Sequence, residues 1–517
     1  MNSPIIAKIE TFVEIEITES DLNINQLDDK IYRASRKAGQ EIFKKSLEEI
    51  NNYVINKKRD KDVAKVHSHK TGKLGTMVGD INYRYTQVRE EITKEVNYYS
   101  PLKRVLNILP HQQITDGLKI QGVLSSSIVS YRAASENLLH RISHSTIRNS
   151  ALEVGKNLKK QEEEYTGENV KSNLFRGKGS QAFIEADGIY IPMQGGKDKK
   201  SEVKLAICYS GRENRYKQGS SGQKHLKDKI VYGDICKSED FIEKASVFFN
   251  YFCSLMSVLY ILILGDGATW IKDFLCVYSR GVYQLDRFHL LRKLRSHFSR
   301  KKDVYDEIKK LIEENRINEV VLKIQKTLSF FEEKIVEYEF KGRLEDRKDE
   351  HKSYKKRIDF YRRRIKKVKE LISYIENNKE GINGIDAYKG IFEDCDLIIG
   401  SGGIENQVKN TIARRMKGQG KCWKNEGARA MVKILTSINN GWYSFEDYLN
   451  IFSLNRKPLE LPKKLKEKIV ISKGRKETYQ MEQIYKGTIP CFAPSSSPTG
   501  YLKKELSDID YMDVLHI

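Results

Sequence analysis

The pattern of apolar and polar positions changes character several times along the chain. Residues 1–70 set Ile31, Ala34, Ile42 and Leu47 among many charges, which predicts helix, and end in a His/Lys-rich stretch, HSHKTGK. Residues 72–100 turn β-branched and aromatic, LGTMVGDINYRYTQV followed by EEITKEVNYYS, and predict a β-hairpin. Residues 113–165 return to a helical pattern. Within them SYRAASENLLHRISHSTIRNSALEVGKNL has the rhythm of a helix-turn-helix: a first helix ending near His140, a turn at Ile142-Ser143, and a second helix capped by Ser145 or Thr146. Arg148 and Asn149 then fall in the first turns of that second helix, where a recognition helix meets a major groove. The same spacing suits any tight helical hairpin.

Residues 180–290 alternate between the two periods. QAFIEADGIYIPM, EVKLAICYSG and KIVYGDI predict three strands joined by short turns, hence antiparallel. EDFIEKASVFFNYF predicts a helix, VLYILILGDGA a buried strand, TWIKDFLCVY a helix, and GVYQLDRFHLL a fifth strand. This β-β-β-α-β-α-β order is that of a ribonuclease H-like mixed five-stranded sheet. Residues 291–395 break the alternation with charged helical sequence. Tyr354, Ile358, Tyr361, Ile365, Val368 and Leu371 recur on one helical face, while residues 341–370 hold 14 Lys/Arg against 6 Asp/Glu. Such a face is either simply solvated or tracks phosphates. Residues 400–440 are compact again, with glycines 400, 402 and 403 before a helix starting near Ile404.

The expected organisation is an N-terminal helical and β-hairpin region (1–112), a helix-turn-helix DNA-binding region (113–175), a catalytic core in two parts (176–290 and 399–440), an all-α insertion between them (291–398), and a basic, Pro/Ser-spotted tail (441–517).

Composition adds a partner class. Among 517 residues, Lys+Arg number 92 and Asp+Glu 70, a formal net charge of +22, which points to a polyanion because cations that neutralise phosphates release condensed counterions. The seven cysteines are scattered and never form a CxxC pair, which argues against a disulfide framework or a zinc ribbon. The longest apolar run, Val258 to Leu264, is far short of a membrane span, and the N-terminus carries acidic residues where a signal peptide needs basic ones. The expected location is therefore the cytoplasm, without a membrane partner.

Three carboxylates stand out by context. Asp187 lies on or at the end of the first predicted strand between Ala186 and Gly188, Asp266 follows a buried strand in Gly-Asp-Gly, and Glu405 opens a helix after a glycine cluster. Carboxylates beside buried strands are costly unless paired or bound to a cation, and clustering them makes the cost larger. Oxygen ligands without a Cys/His set select Mg²⁺ or Mn²⁺, and two such ions can activate an attacking hydroxyl and stabilise the leaving oxygen of a phosphodiester. The 79 residues from Asp187 to Asp266 carry the chain from first to fourth strand; the 139 from Asp266 to Glu405 exceed one crossover, and the helical insert accounts for the excess. No G-x-x-x-x-G-K-[ST] or G-x-S-x-G occurs, so neither an ATP-driven partner nor a serine nucleophile has support.

The strings ADGIYIPM, LGDGATWI, LDRFHLLRKL and IENQVKNTIARRMKGQGKCWKNEGARAM occur in the order found in the Lre-two type of insertion-sequence transposases, related to Mutator-like DDE enzymes, which the chain resembles over about residues 70–440. The resemblance implies a bacterial, nucleoid-associated DDE transposase with Asp187, Asp266 and Glu405 as the catalytic and metal-binding triad. It also implies a helical insertion between the second Asp and the Glu, and an N-terminal helix-turn-helix that binds terminal inverted repeats. By the same resemblance Asp286 and His289, in Asp-Arg-Phe-His, lie near the metal site, where His289 either holds a phosphate or is a satisfied core residue.

Arg414, Arg415 and Lys417 either contact the DNA backbone or cover a helix end; Trp423 either stacks on a flipped base or belongs to the core. Arg362, Arg363 and Arg364 are the expected non-specific DNA contacts of the insert. The expected partners are double-stranded DNA, as inverted repeats and target, and further copies of the chain as a homodimer or higher oligomer on DNA. Two other functions share these features: a structure-specific nuclease on a ribonuclease H-like core, and a non-catalytic DNA-binding protein derived from a transposase.

Overall fold

A computed structural model describes residues 7–18, 23–59, 64–92, 95–165, 181–195, 199–214, 224–255, 258–299, 302–344, 348–382 and 402–454. Gly400, part of the insertion and most of the basic tail lie outside them. The chain divides into two compact units, residues 1–157 with 441–517, and residues 158–440, so the boundary runs through the segment drawn from the sequence as 113–175.

In the first unit helix α1 (Ile24–Tyr53) starts at an Asn23 cap, whose side chain accepts from the Asn25 amide. It lies on a three-stranded antiparallel sheet, β1 (Ala64–Thr76), β2 (Gly79–Ile92) and β3 (Glu95–Tyr99). Leu47 joins Leu74, Ile81, Tyr83 and Leu102 in its core, and the buried Asn51 amide is satisfied by Thr86 on both its oxygen and its nitrogen. Two expectations change here. Residues 64–70 form strand rather than helix, because β1 pairs with β2 from Ala64↔Glu90 to Thr76↔Gly79, and ladder pairing prevails over a weak local pattern. The region expected as one hairpin over residues 72–100 holds three strands: one turn falls at Met77-Val78, and LGTMVGDINYRYTQV spans the end of β1 and most of β2. Ile31 and Ile42 are exposed and contribute nothing to the core.

Helices α3 (Asp116–Ser126), α4 (Tyr131–Glu136) and α5 (His144–Glu163) follow the short α2 (Pro101–Val105); α5 belongs to this unit as far as Asn157. Leu118, Ala134, Leu138, Ile142 and Ile147 are their shared core. The cap of α5 is Ser143, whose hydroxyl accepts from the Thr146 amide at 3.0 Å, so neither Ser145 nor Thr146 has that role. α4 stops at Glu136, well before His140, and residues 137–143 make a longer connection than the three or four residues, roughly, of a helix-turn-helix. The Phe445–Ser453 helix belongs to this unit and is tied to it by Asn157, which donates to the Ile451 carbonyl at 2.7 Å.

The second unit is a mixed α/β structure around a five-stranded sheet. Its strands are β4 (Gln181–Pro192), β5 (Lys200–Tyr209), β8 (Ile230–Asp234), β9 (Tyr260–Gly265) and β10 (Gly281–Leu285), lying side by side in the order β10-β9-β4-β5-β8. β4, β5 and β8 are antiparallel neighbours, while β9 and β10 join parallel to β4. Every strand expected from the sequence is present. A two-stranded ribbon not foreseen, β6 (Gly211–Asn214) with β7 (Lys224–Lys227), separates β5 from β8.

The period of two along β4 divides its side chains between faces. Ala182, Ile184 and Ala186 join the core with α6 (Ser238–Cys253), through Phe241 and Phe249. Phe183 and Glu185 face the other way: Phe183 stacks on Tyr209, and Glu185 meets the Gly402–Gln407 helix. On that side the Asn425–Asn440 helix packs so close to β8 that a Cβ on Gly233 would stand 2.9 Å from Thr436.

The insertion, α9 (Arg287–Phe298), α10 (Lys302–Glu313), α11 (Ile317–Arg343) and α12 (Lys348–Asn377), shares one hydrophobic core with the sheet, running from Ile263 and Leu285 through Leu294 and Ile308 to Val368 and Ile375. α11 and α12 form an antiparallel pair zipped by Phe331–Tyr361, Tyr338–Tyr361 and Tyr338–Tyr354 ring contacts. Among the described residues no helix is long and apolar enough to cross a membrane.

Candidate active site

Three neighbouring strands each supply an acid, β4 from within its length, and the parallel strands β9 and β10 from just past their ends. Asp187 lies on β4, Asp266 directly follows β9, and Asp286 directly follows β10. Each Asp accepts from a backbone amide close to it in sequence. Asp187 accepts from the Gly188 amide at 2.7 Å, Asp266 from the Ala268 amide at 3.0 Å, and Asp286 from the Phe288 amide at 2.9 Å as the cap of α9. The other Asp286 oxygen meets His289 Nδ1 at 2.7 Å, which leaves Nε2 as the imidazole nitrogen for a substrate.

The turn at Asp266 is clamped by the insertion. Tyr374 of α12 donates to the Asp266 carbonyl at 2.6 Å, and Gly267, at φ +98°, lies where a Cβ would stand 2.7 Å from the Tyr374 ring. Only glycine meets both demands. The Lys293 ammonium lies 3.4 Å from the centre of the same ring; burial lowers its pKa, while Asp266 pulls the other way.

Two of the other expected acids act on Asp187 electrostatically. The Asp187 carboxyl is raised to about 6, first by burial, then by Asp266 and least by Glu405, against the Gly188 hydrogen bond and the nearby His289. His289 is raised, first by its hydrogen bond to Asp286 and then by the charges of Asp286, Asp266 and Asp187, with burial opposing. Glu405 is exposed on the Gly402–Gln407 helix, beside the buried Ile404. The donors suit a hard divalent cation: a carboxylate raised by burial and then by like charges is what such an ion relieves. Asp187, Asp266 and Glu405 are the residues that would hold it. Among the described residues, however, no three His, Cys, Asp or Glu side chains stand close enough together to close on one ion.

One buried acid escaped the sequence reading. Glu185 is fully buried, accepts from Tyr209 Oη at 2.6 Å and from the Ile404 amide at 2.7 Å, and stands 3.6 Å from Arg212; burial raises its pKa against all three. Its signal was present in QAFIEADGIYIP: a carboxylate in an apolar strand, two positions before Asp187 and so on the same face, must find partners.

Several expected contacts have other employment. Trp423 is buried, donates from its indole to the Met416 carbonyl at 3.0 Å, and is bridged through its backbone to Pro192 and Gln194, so it is a core residue and no base can stack on it as it stands. Arg415 is buried with its guanidinium 4.9 Å over the Trp423 ring, which removes it from any backbone contact. Arg414 and Lys417 are exposed, Lys417 just past the helix end. The helix carrying Glu405 is not uniform: its α turns at Gly402–Gln407 give way to a π-helical stretch, Val408–Ala413, before Arg414–Met416.

Arg364 is tied to the His297 carbonyl at 2.8 Å, and Arg362 pairs with Glu339 at 3.1 Å, while Arg363 only reaches back to the Asp359 carbonyl. In the other unit, Arg148 donates to Asn149 at 3.4 Å on the outer side of α5.

The pattern of one family, the uncharacterised protein family UPF0236, matches residues 17–365. The chain belongs to that family. UPF0236 protein TTE2489 of Caldanaerobacter subterraneus is 28% identical over 438 residues, 84% of this chain and 82% of its own. A second UPF0236 protein of that organism, 26% identical over 430 residues (82% of this chain, 80% of its own), bears eleven locus names in a single genome. The UPF0236 protein in the vanSb 3′ region of Streptococcus gallolyticus is 22% identical over 437 residues, 83% of this chain and 84% of its own.

Proposed function

We propose that the protein is a DDE transposase: a divalent-metal-dependent enzyme that hydrolyses DNA phosphodiesters at transposon ends and transfers the 3′-hydroxyl ends to target DNA. The observation that carries the proposal is that Asp187 of β4 and Asp266, just past the parallel neighbour β9, are close enough for Asp266 to raise the Asp187 carboxyl, with a smaller contribution from Glu405, 139 residues after Asp266. The strand order β10-β9-β4-β5-β8, with three antiparallel strands followed by two parallel ones, supports a ribonuclease H-like core. Repetition of a relative at eleven loci of one genome is what a mobile element leaves behind.

Two Mg²⁺ or Mn²⁺ ions held by these three carboxylates would supply activation of the attacking hydroxyl and neutralisation of charge on the phosphate. The chain's own part is placement. Asp187 is fixed by the next amide on its strand and Asp266 by its turn amide, the insertion clamps the Asp266 turn through Tyr374, and His289, oriented by Asp286, offers Nε2 to a phosphate oxygen. Duplex DNA is the substrate, bound through the α3–α5 segment with Arg148 and Asn149 at the ends and through Arg362, Arg363, Arg414 and Lys417 elsewhere. Joining two ends calls for at least two copies of the chain.

The test is a cleavage and strand-transfer assay on DNA carrying the ends of the surrounding element, with Mg²⁺ or Mn²⁺. Wild type cuts and joins; Asp187→Asn, Asp266→Asn and Glu405→Gln each lose both reactions and keep DNA binding. Cleavage governed by DNA structure instead of end sequence would indicate a structure-specific nuclease. Binding without cleavage by wild type would indicate a non-catalytic DNA-binding protein.

A further inference from the structure

We propose that Glu185 is a positioning residue for Glu405, holding the Glu405 helix against the strand that carries Asp187; the inference rests on the proposed nuclease site. Glu405 is delivered to the site by a chain segment remote in sequence, and something must fix where that segment begins. Glu185 does so from beneath. Its Oε2 accepts from the amide of Ile404, the residue just before Glu405, at 2.7 Å. Its Oε1 is held in turn by Tyr209 Oη at 2.6 Å, with the Arg212 guanidinium at 3.6 Å, and Tyr209 is braced by stacking on Phe183 at 5.1 Å.

The approach leaves no room for a side chain at the helix start. A Cβ on Gly403 would stand 2.9 and 3.1 Å from the two Glu185 oxygens. Gly403 is thus required by contact with Glu185, and not by its own backbone conformation. Because Glu185 and Asp187 are two positions apart on one strand face, the anchor and the metal-binding acid share one rigid support. A backbone amide buried at this place must find an acceptor, and the Glu185 carboxyl oxygen supplies it. Glu185 spends both oxygens on these partners and is not itself a ligand.

The experiment combines amide hydrogen exchange with Mn²⁺ binding on the full-length protein. Glu185→Ala should speed exchange over residues 402–416 by about tenfold or more while β5 and β9 stay protected, and Glu185→Gln, which keeps an acceptor oxygen, should restore most of the protection. Glu185→Ala and Glu405→Gln should each weaken Mn²⁺ binding by roughly 10- to 100-fold. The double variant should be no weaker than the poorer single one, because Glu185 acts through Glu405.

Unchanged exchange at 402–416 overturns the proposal, and so do losses that multiply in the double variant. If Glu185→Ala does not fold, Gly403→Ala reaches the same contact from the other side, with the same expected exchange and binding. A wild type that neither binds Mn²⁺ nor cleaves DNA defeats the proposed function and Glu185's service to a metal site. The exchange comparison then still decides whether Glu185 holds the segment.

Discussion

Asp286 Oδ2 and His289 Nδ1 stand 2.7 Å apart, one turn of α9 from cap to ring, with Asp286 almost wholly buried. The pair raises His289, so the folded protein holds the ring's proton more tightly than the unfolded chain. The resulting stability is fully present below the ordinary histidine value of about 6.5 and is lost as pH rises through the higher folded value. Chemical denaturation of wild type and Asp286→Asn at pH 6 and pH 9 should therefore differ more at pH 6. Equal differences at both would separate His289 from Asp286.

Asp187 carries the opposite lesson for an acid. Its folded value of about 6 lies above the ordinary aspartate range, so it favours the fold while protonated and that contribution disappears between about pH 4 and pH 6. At pH 8, in the absence of divalent metal, Asp187→Asn should be more stable than wild type by on the order of 2 kcal/mol, after discounting for partial solvent screening. At pH 4 the difference should vanish. Thermal melts with and without Mg²⁺ check both, and a destabilised Asp187→Asn at pH 8 would contradict the burial of a strained carboxylate.

The clamp on the Asp266 turn gives a third prediction. Gly267→Ala adds a Cβ at 2.7 Å from the Tyr374 ring and forces a side chain into φ +98°, a combined cost of about 2–4 kcal/mol in urea denaturation. Tyr374→Phe removes only the hydrogen bond to the Asp266 carbonyl, and should cost about 1 kcal/mol while slowing DNA cleavage more than binding. A Tyr374→Phe enzyme with unchanged cleavage would show that α12 merely covers the turn.

The arginine triplet of α12 should divide. Arg362→Glu and Arg363→Glu should weaken binding to every DNA sequence alike and each lower the salt slope by about one unit. Arg364→Ala should instead lower the melting temperature, because its guanidinium holds the His297 carbonyl at 2.8 Å and lies over Phe331. An unchanged slope for the first two would make α12 a solvated face.

Much of the second unit was legible in the chain itself. Five apolar runs of strand length, with turns and then helices between them, fix five strands and which of them pair antiparallel, and Asp187 and Asp266 stand out because acids in apolar strands are costly. What was not legible is where the same residue types are put to structural use. Arg415 and Trp423 have the composition of a DNA contact, yet they bury each other, and Arg364 differs from Arg363 only by the side of the helix it occupies. The strand at residues 64–70 exists because β2 pairs with it, not because HSHKTGK favours extension.

Glu185 marks the division most clearly. Its place two positions before Asp187 fixes the face it shares, which the period of a strand determines without any knowledge of the fold. That this face receives the amide of Ile404, 219 positions later, depends on how the chain packs after the insertion, and no local pattern carries it. Sequence determines which residues cannot be left alone in a core; tertiary structure decides which partner each one finds, because that choice is made by contacts between segments far apart along the chain.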